Sequence, residues 1–178
     1  MDDLSLRSAV TGDHTTDGRP HGFSSLTPFL VIADAAAALE FYESVLGAEV
    51  SGVTQFPGPD GEPIVVHAEV RLRDGRFQIG QPNPDYGLVP PAGDGFLASY
   101  SLGLYVTDVD DTLERAVAAG STVREPAMTF VSGDRFASVV DPFGTRWSFM
   151  TRVEDLSEDE SARRVAEWAA EQAATSGS

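Results

Sequence analysis

Cysteine is missing from all 178 residues, so the chain forms no disulfide, offers no thiolate nucleophile and holds no metal through sulfur. Basic residues are few. Twelve of them against 28 acidic ones leave a formal charge of −16, which attracts neither nucleic acid nor an anionic membrane surface. No apolar run approaches the roughly 20 residues of a membrane span. The N-terminal Met1-Asp2-Asp3-Leu4 is acidic where a signal peptide is basic and then apolar, and a cytoplasmic protein is expected. Phosphate-cradling glycine loops, serine-elbow motifs and zinc-spaced clusters do not occur either. What is present is a chain with 42% hydrophobic residues, long enough for one substantial core.

The most informative feature is an internal echo. The segment from Thr27 to Asp34, followed by a helical pattern from Ala35 to Leu46 and then Gly47, returns as Ser101 to Asp108, a second helical pattern and Gly120. Asp34 and Asp108, like Leu39 and Leu113, stand 74 positions apart. A unit used twice creates a shared surface between its copies where a ligand can sit.

Each copy reads as strand, helix and three strands. In the first, Asp34 caps a helix with Ala38, Leu39, Tyr42, Val45 and Leu46 inward, and Gly47 supplies the left-handed stop. Strands follow at 48–54, 64–72 and 76–81, the last two joined by a tight Asp74-Gly75 turn. In the second, Asp108 caps a helix with Leu113, Ala116 and Val117 inward, and strands follow at 122–124, 136–140 and 146–151, with Gly144 playing the part of Gly75. A linker of four prolines and three glycines, Pro82 to Gly95, separates the copies and serves as a lid or a spacer; it contains Tyr86 and is followed by Phe96. Ser157 and Glu160 form a capping box for a terminal helix whose stripe Val165, Trp168, Ala169 and Ala173 docks on its own domain, on a dimer mate or on another protein. The expected layout is a flexible arm at 1–23 bearing His14 and His21, a domain at 24–153 (first module about 25–81, linker 82–97, second module about 98–152), and a helix and tail at 154–178. Residues 174–178 are expected to be disordered.

These residues resemble a known family. Val31-Ile-Ala-Asp34, Leu39-Glu-Phe-Tyr42 and Val45-Leu-Gly47, with His67-Ala-Glu-Val70, Gly133-Asp-Arg135, Val140-Asp-Pro-Phe-Gly-Thr-Arg-Trp-Ser148 and Val153-Glu-Asp155, are similar to the vicinal oxygen chelate superfamily of glyoxalases, bleomycin-resistance proteins and extradiol dioxygenases, in its PhnB-like branch. The resemblance covers about residues 25–150. It implies an α+β fold of paired βαβββ modules forming a curved mixed sheet around a cavity, with an additional C-terminal helix, and it implies homodimers. In metal-dependent members, it implies ligands on the first and last strands of each module. Those positions fall here on Thr27, Ser101, Ser148 and Gln78, or Gly80 if the turn differs in length. Hydroxyl groups are poor partners for a divalent ion, so metal is disfavoured and no cofactor is expected.

Strand parity then gives the contents of the cavity. With Thr27, Ser101 and Ser148 inward, Phe29, Val31, Gly103, Tyr105, Arg146 and Met150 face the same way, while Leu30, Ile32, Leu102, Leu104, Val106, Trp147 and Phe149 face the helices. His67, Glu69 and Arg71 share one strand face. His67 and Glu69 read as an acid-base pair, as two metal ligands completed by Gln78 or Glu62, or as a hydrogen-bonded cluster in which Glu69 meets Arg71 or Arg146. Asp134-Arg135, on the loop leading into the seventh strand, reads as an anchor for a ligand carboxylate or phosphate or as a turn salt bridge. The expected function is binding of a small organic molecule, without metal, in the cavity between the modules, with sequestration or resistance as its purpose; the alternative is a lyase, isomerase or hydrolase working through His67 and Glu69.

Overall fold

The computed structural model describes residues 8–58, 61–90 and 98–176. The chain divides into two compact units, one of residues 1–43 and 47–88 and the other of residues 44–46 and 89–178, and the division near residue 88 falls inside the expected linker.

The first unit opens with a small hairpin, β1 (Thr15–Thr16) and β2 (Arg19–Pro20), in the stretch expected to be a structureless arm. Asp17 and Gly18 take positive φ at its tip, and Thr11 Oγ1 donates to Asp17 Oδ1 at 3.2 Å, which is enough local bonding to close the turn. The module proper follows as β3 (Phe29–Val31), α1 (Ala35–Leu46), β4 (Glu49–Pro57), β5 (Pro63–Leu72) and β6 (Gly75–Gly80). Its sheet runs β3-β6-β5-β4, with β3 parallel to β6 and the other pairs antiparallel. Asp34 accepts from Ala37 N at 3.0 Å to cap α1, and Gly47 ends it at φ 68°. One sheet face is apolar and buried: Leu30, Ala68, Val70, Leu72, Phe77 and Ile79. Tyr42 of α1 meets Phe77 edge to face at 5.5 Å, and each such buried side chain contributes about 1.5–3 kcal/mol.

A difference appears at the β5–β6 turn. Gly75 is already in the strand, and the residue at positive φ is Arg73, at 52°. Gly144 does take positive φ, at 88°, so the two turns are not built alike.

The second unit contains β7 (Leu102–Tyr105), α2 (Val109–Ala118), β8 (Thr122–Thr129), β9 (Asp134–Val140), β10 (Arg146–Arg152) and α3 (Glu158–Ser176). Its sheet runs β7-β10-β9-β8, again with the first pair parallel and the rest antiparallel. Asp108 caps α2 by accepting from Asp111 N at 3.1 Å. The inward face of α2 holds Val109, Thr112 and Ala116, and Val117 is exposed. Thr112 tolerates burial because its hydroxyl donates to Asp108 O at 2.8 Å. Strand β8 outruns its expected end and accommodates Pro126 because it is an edge strand with an irregular register between Val123 and Met128.

Ser157 Oγ accepts from Glu160 N at 3.2 Å to start α3, as the capping box requires, and the helix continues to Ser176, past the point where disorder is expected. Alanines and arginines at 162–174 keep it helical. The linker holds a short 3-10 turn at Pro84–Tyr86, and Phe96 lies outside the described residues. Among the described residues, no helix is long and apolar enough to cross a membrane.

Candidate functional site

Each sheet buries one face under its helix and presents the other as a polar surface. In the first module the polar face is arranged in rows by register. Phe29 stands opposite Gln78, Gln78 opposite Glu69, and Glu69 opposite Ser51; Thr54 stands opposite His67 one row on, and Arg76 opposite Arg71 one row back. Thr27 lies just before β3, its hydroxyl directed to Ser24 O at 3.5 Å.

Glu69 is the centre of that face. Its side chain is only 12% exposed, and its Oε1 accepts from Gln78 Nε2 at 2.7 Å. His67 Nε2 lies 3.5 Å from the same oxygen, while His67 Nδ1 lies 3.5 Å from Gly52 O, where a bulge in β4 turns that carbonyl inward. Arg76 Nη1 stands 3.6 Å from Glu69 Oε2. Buried Glu69 Oε2 and Arg76 Nε have no hydrogen-bond partner of their own. The Arg76 guanidinium lies 4.0 Å over the Phe23 ring, and the backbone carbonyl of Phe23 accepts from Arg19 Nη1 at 2.7 Å. Phe29, 37% exposed, is tilted against the His67 ring at a centroid distance of 6.3 Å.

The partner of Glu69 is therefore Arg76, a residue the parity argument passed over. Arg71 pairs instead with Glu49 across β4, and Arg146 pairs with Glu125. The reason is register: Arg71 lies beyond Glu69 on β5 and meets Glu49 directly, whereas Arg76, two positions before Gln78, reaches Glu69 diagonally.

The second module has the same rows. Gly103 stands opposite Ser148, Ser148 opposite Ser138, and Ser138 opposite Glu125. Ser101 Oγ and Ser148 Oγ share a hydrogen bond of 2.8 Å. Arg146 Nε donates to Ser138 Oγ at 3.2 Å and its Nη2 to Glu125 Oε2 at 2.9 Å. Tyr105, 52% exposed, stands beside Met150 at the far end of the face.

Arg135 is the exception. It lies within β9, not on a loop before it, and it shares parity with Ala137 and Val139, which puts it on the helix side of the sheet. There it makes a two-armed salt bridge to Asp110 of α2. The Arg135 hydrogen bonds hold the Asp110 carboxyl below its usual range, and Asp110 in turn pushes the guanidinium up. Trp147 likewise faces the helix, 2% exposed, donating to Asp141 Oδ2 at 3.0 Å. Tyr100, just before β7, has its phenol pushed up by burial and by the charge of Asp141.

Two βαβββ modules of identical strand order, repeated in one chain, are the decisive observation, and residues 13–149 match the family described as the Glyoxalase/Bleomycin resistance protein/Dioxygenase superfamily. The chain belongs to that superfamily. An uncharacterised protein of Mycobacterium bovis is 34% identical over 140 residues, 76% of this chain and 88% of that one, and one of Mycobacterium tuberculosis matches the same length at 34%, 76% and 79%. TioX from Micromonospora sp. has a similar structure, with a TM-score of 0.56 at 22% identity over 73% of this chain and 99% of that one. A PhnB protein from Bacillus cereus gives 0.55 at 20% identity over 72% and 99%. At such identities these structures speak for the fold alone.

The positions onto which the resemblance carries the superfamily's metal ligands hold neutral groups in this chain. Register puts Gln78 and not Gly80 in the place that Ser148 holds in the second module, since Gln78 opposes Phe29 as Ser148 opposes Gly103. The four positions thus carry two serines, a threonine and an amide. Ser101 and Ser148 bond to each other, and Gln78 donates its amide nitrogen to Glu69. Such neutral groups cannot offset the dehydration of a divalent ion. Among the described residues, no three His, Asp or Glu side chains converge to replace them.

Proposed function

We propose that this member of the superfamily binds a small organic molecule on the polar faces of its sheets, by hydrogen bonding and aromatic contact and without a metal. The observation that carries this reading is the content of the four positions onto which the resemblance carries the superfamily's ligands: Thr27 and Gln78 in the first module, and Ser101 and Ser148 in the second, give each polar face hydroxyl or amide groups. Phe29 in the first module and Tyr105 in the second, both partly exposed, each add aromatic area to their own face. Such a mixture holds ligands that combine a ring with hydrogen-bonding groups. Sequestration or self-resistance is the corresponding role, and the protein acts as a homodimer.

Calorimetric titration against panels of metabolites and antibiotics, alongside elemental analysis of protein purified without chelator, is the test. Stoichiometric binding that survives chelation supports the reading. Turnover of a panel member that disappears with loss of a bound Zn, Ni, Mn or Fe ion overturns it.

The 3.5 Å approach of His67 Nε2 to Glu69 Oε1 favours a second reading, in which the pair moves a proton during a lyase, isomerase or hydrolase reaction. Turnover that is lost in both His67→Ala and Glu69→Gln, with ligand affinity retained, would establish it. Equal loss of affinity in the two variants would assign these residues to binding.

A further inference from the structure

Helix α3 lies against its own module. Ser161 Oγ donates to Ser132 O at 2.9 Å, Arg164 Nη1 meets Glu154 Oε2 at 2.9 Å, and the rings of Phe130 and Trp168 meet edge to face at 5.0 Å. Alongside this seam runs a groove of about 400 Å³, lined in part by Thr129 of β8, within the range of small-molecule sites. None of the polar-face residues described above lines it.

The lining of the groove has one chemical character. Phe130 and Trp168 supply aromatic surface, and Trp168 remains 40% exposed although it is the largest apolar side chain of the helix. Around them stand the carboxylates of Glu154, Glu167 and Glu171, with Arg164 as the one cation of the lining. That guanidinium is already occupied, by Glu154 and by Glu160 at 2.9 Å each. Glu167 is held by Arg163 at 2.6 Å, outside the lining, and Glu171 makes no ion pair among the described residues. Glu171 follows Trp168 by three positions, which makes them neighbours on the helix surface, and Glu167 lines the same groove.

An electron-rich ring face beside carboxylates attracts a cation, and the aromatic surface selects one that gives up its water readily. A hydrated metal ion gains nothing from the rings and would need carboxylates converging on a point. An anion is repelled. A second copy of this chain, at −16, would bring a matching negative groove to the same place.

We propose that the α3 groove is a binding site for a hydrophobic organic cation, a tertiary or quaternary ammonium, separate from the polar sheet faces. Recognition consists of cation–π contact with Trp168 and charge attraction from Glu171. The site is independent of the proposed function, since it shares no residue with it.

Choline is a suitable probe, and 3,3-dimethylbutan-1-ol, which has carbon in place of the ammonium nitrogen, is its neutral control. Trp168 reports binding through its emission, because Trp147, the second tryptophan, is buried and constant. With the full chain at fixed ionic strength, choline saturates the signal with a dissociation constant on the order of 1 mM, and the alcohol does not saturate it. Glu171→Gln weakens choline by about threefold, and Trp168→Leu abolishes the calorimetric signal of binding. Glu171 is exposed, so its variant keeps the fold and decides the matter alone if Trp168→Leu does not. Equal binding of the alcohol, no saturation at a hundredfold excess over that constant, or an unchanged constant in Glu171→Gln overturns the proposal.

Discussion

The two modules share a strand order but distribute their charges differently. In the first, the central row reads Phe29, Gln78, Glu69, Ser51; in the second it reads Gly103, Ser148, Ser138, Glu125. Arg76 and Arg146 hold the same position, two residues before Gln78 and Ser148, yet each finds its carboxylate on a different strand: Glu69 on the inner strand β5, Glu125 on the edge strand β8. A carboxylate on an inner strand is buried and must be matched from within. One on an edge strand shares its solvation with water, so the same ion pair is structurally costly to disturb in one module and cheap in the other. The turns before the last strands differ in the same sense: Asp141 is 4% exposed and accepts from Phe143 N, Thr145 N and Trp147 Nε1, whereas the corresponding turn of the first module rests on the backbone of Arg73 and the exposed Asp74.

That last contrast carries the largest expected effect. Asp141→Ala leaves buried donors without an acceptor and lowers stability by about 3 kcal/mol or more, against a change within about 0.5 kcal/mol for Asp74→Ala, as measured by denaturant unfolding. Similar losses in the two variants would show the turns to be equivalent after all. Next come the glycines. A Cβ at Gly80 meets Val66 O at 2.6 Å and the Phe29 ring at 2.9 Å, whereas at Gly103 it meets only the movable end of Met150 at 3.0 Å. Gly80→Ala is expected to cost about 2 kcal/mol and Gly103→Ala less than about 1 kcal/mol, and the reverse order would mean that the first sheet adjusts more easily than the second.

The ion pairs give a smaller and sharper test. Glu69→Gln leaves the enclosed Arg76 charge without its counterion and costs about 1–2 kcal/mol, while Glu125→Gln costs under about 0.5 kcal/mol in the same melts. Equal costs would remove burial as the distinction. Smallest is the effect of acid on α3, which only the second unit carries. Bonds from Arg163 and Arg164 hold the Glu160 carboxyl at about 2 instead of 4.5, so this contribution is present above the ordinary range and is lost as pH falls toward 2. Helical circular dichroism should fall over that interval, and less in Glu160→Gln; identical curves would remove Glu160 as the cause.

Much of this arrangement was legible before the structure. Alternation separates Leu30, Ile32, Trp147 and Phe149 from Phe29, Ser148 and Met150, because a strand with one face under a helix must alternate, and caps such as Asp34 and Asp108 mark helix starts by a local hydrogen bond. What parity cannot supply is diagonal pairing across strands. Arg76 and Glu125 escaped notice because their partners depend on the turn and on irregular register in β8, which set neighbours without leaving a mark in composition. Arg135 was misplaced for a related reason: β9 begins two residues earlier than its apolar run, and that shift moves Arg135 from a loop to the helix side of a strand. Val117 looked inward by spacing, but α2 turns Thr112 to the sheet instead, since its hydroxyl is already satisfied within the helix.

The stacking of Phe23 on Arg76 ties the segment before the first module to that module's polar face. A ring at 4.0 Å covers one face of the guanidinium, and beneath the same cluster Glu69 Oε2 is out of contact with solvent. A ligand that stacks on the covered face of Arg76 must take the place of this ring, so the segment before the first module helps to decide what that guanidinium presents, and a change at Phe23 alters the face without any change in the module itself.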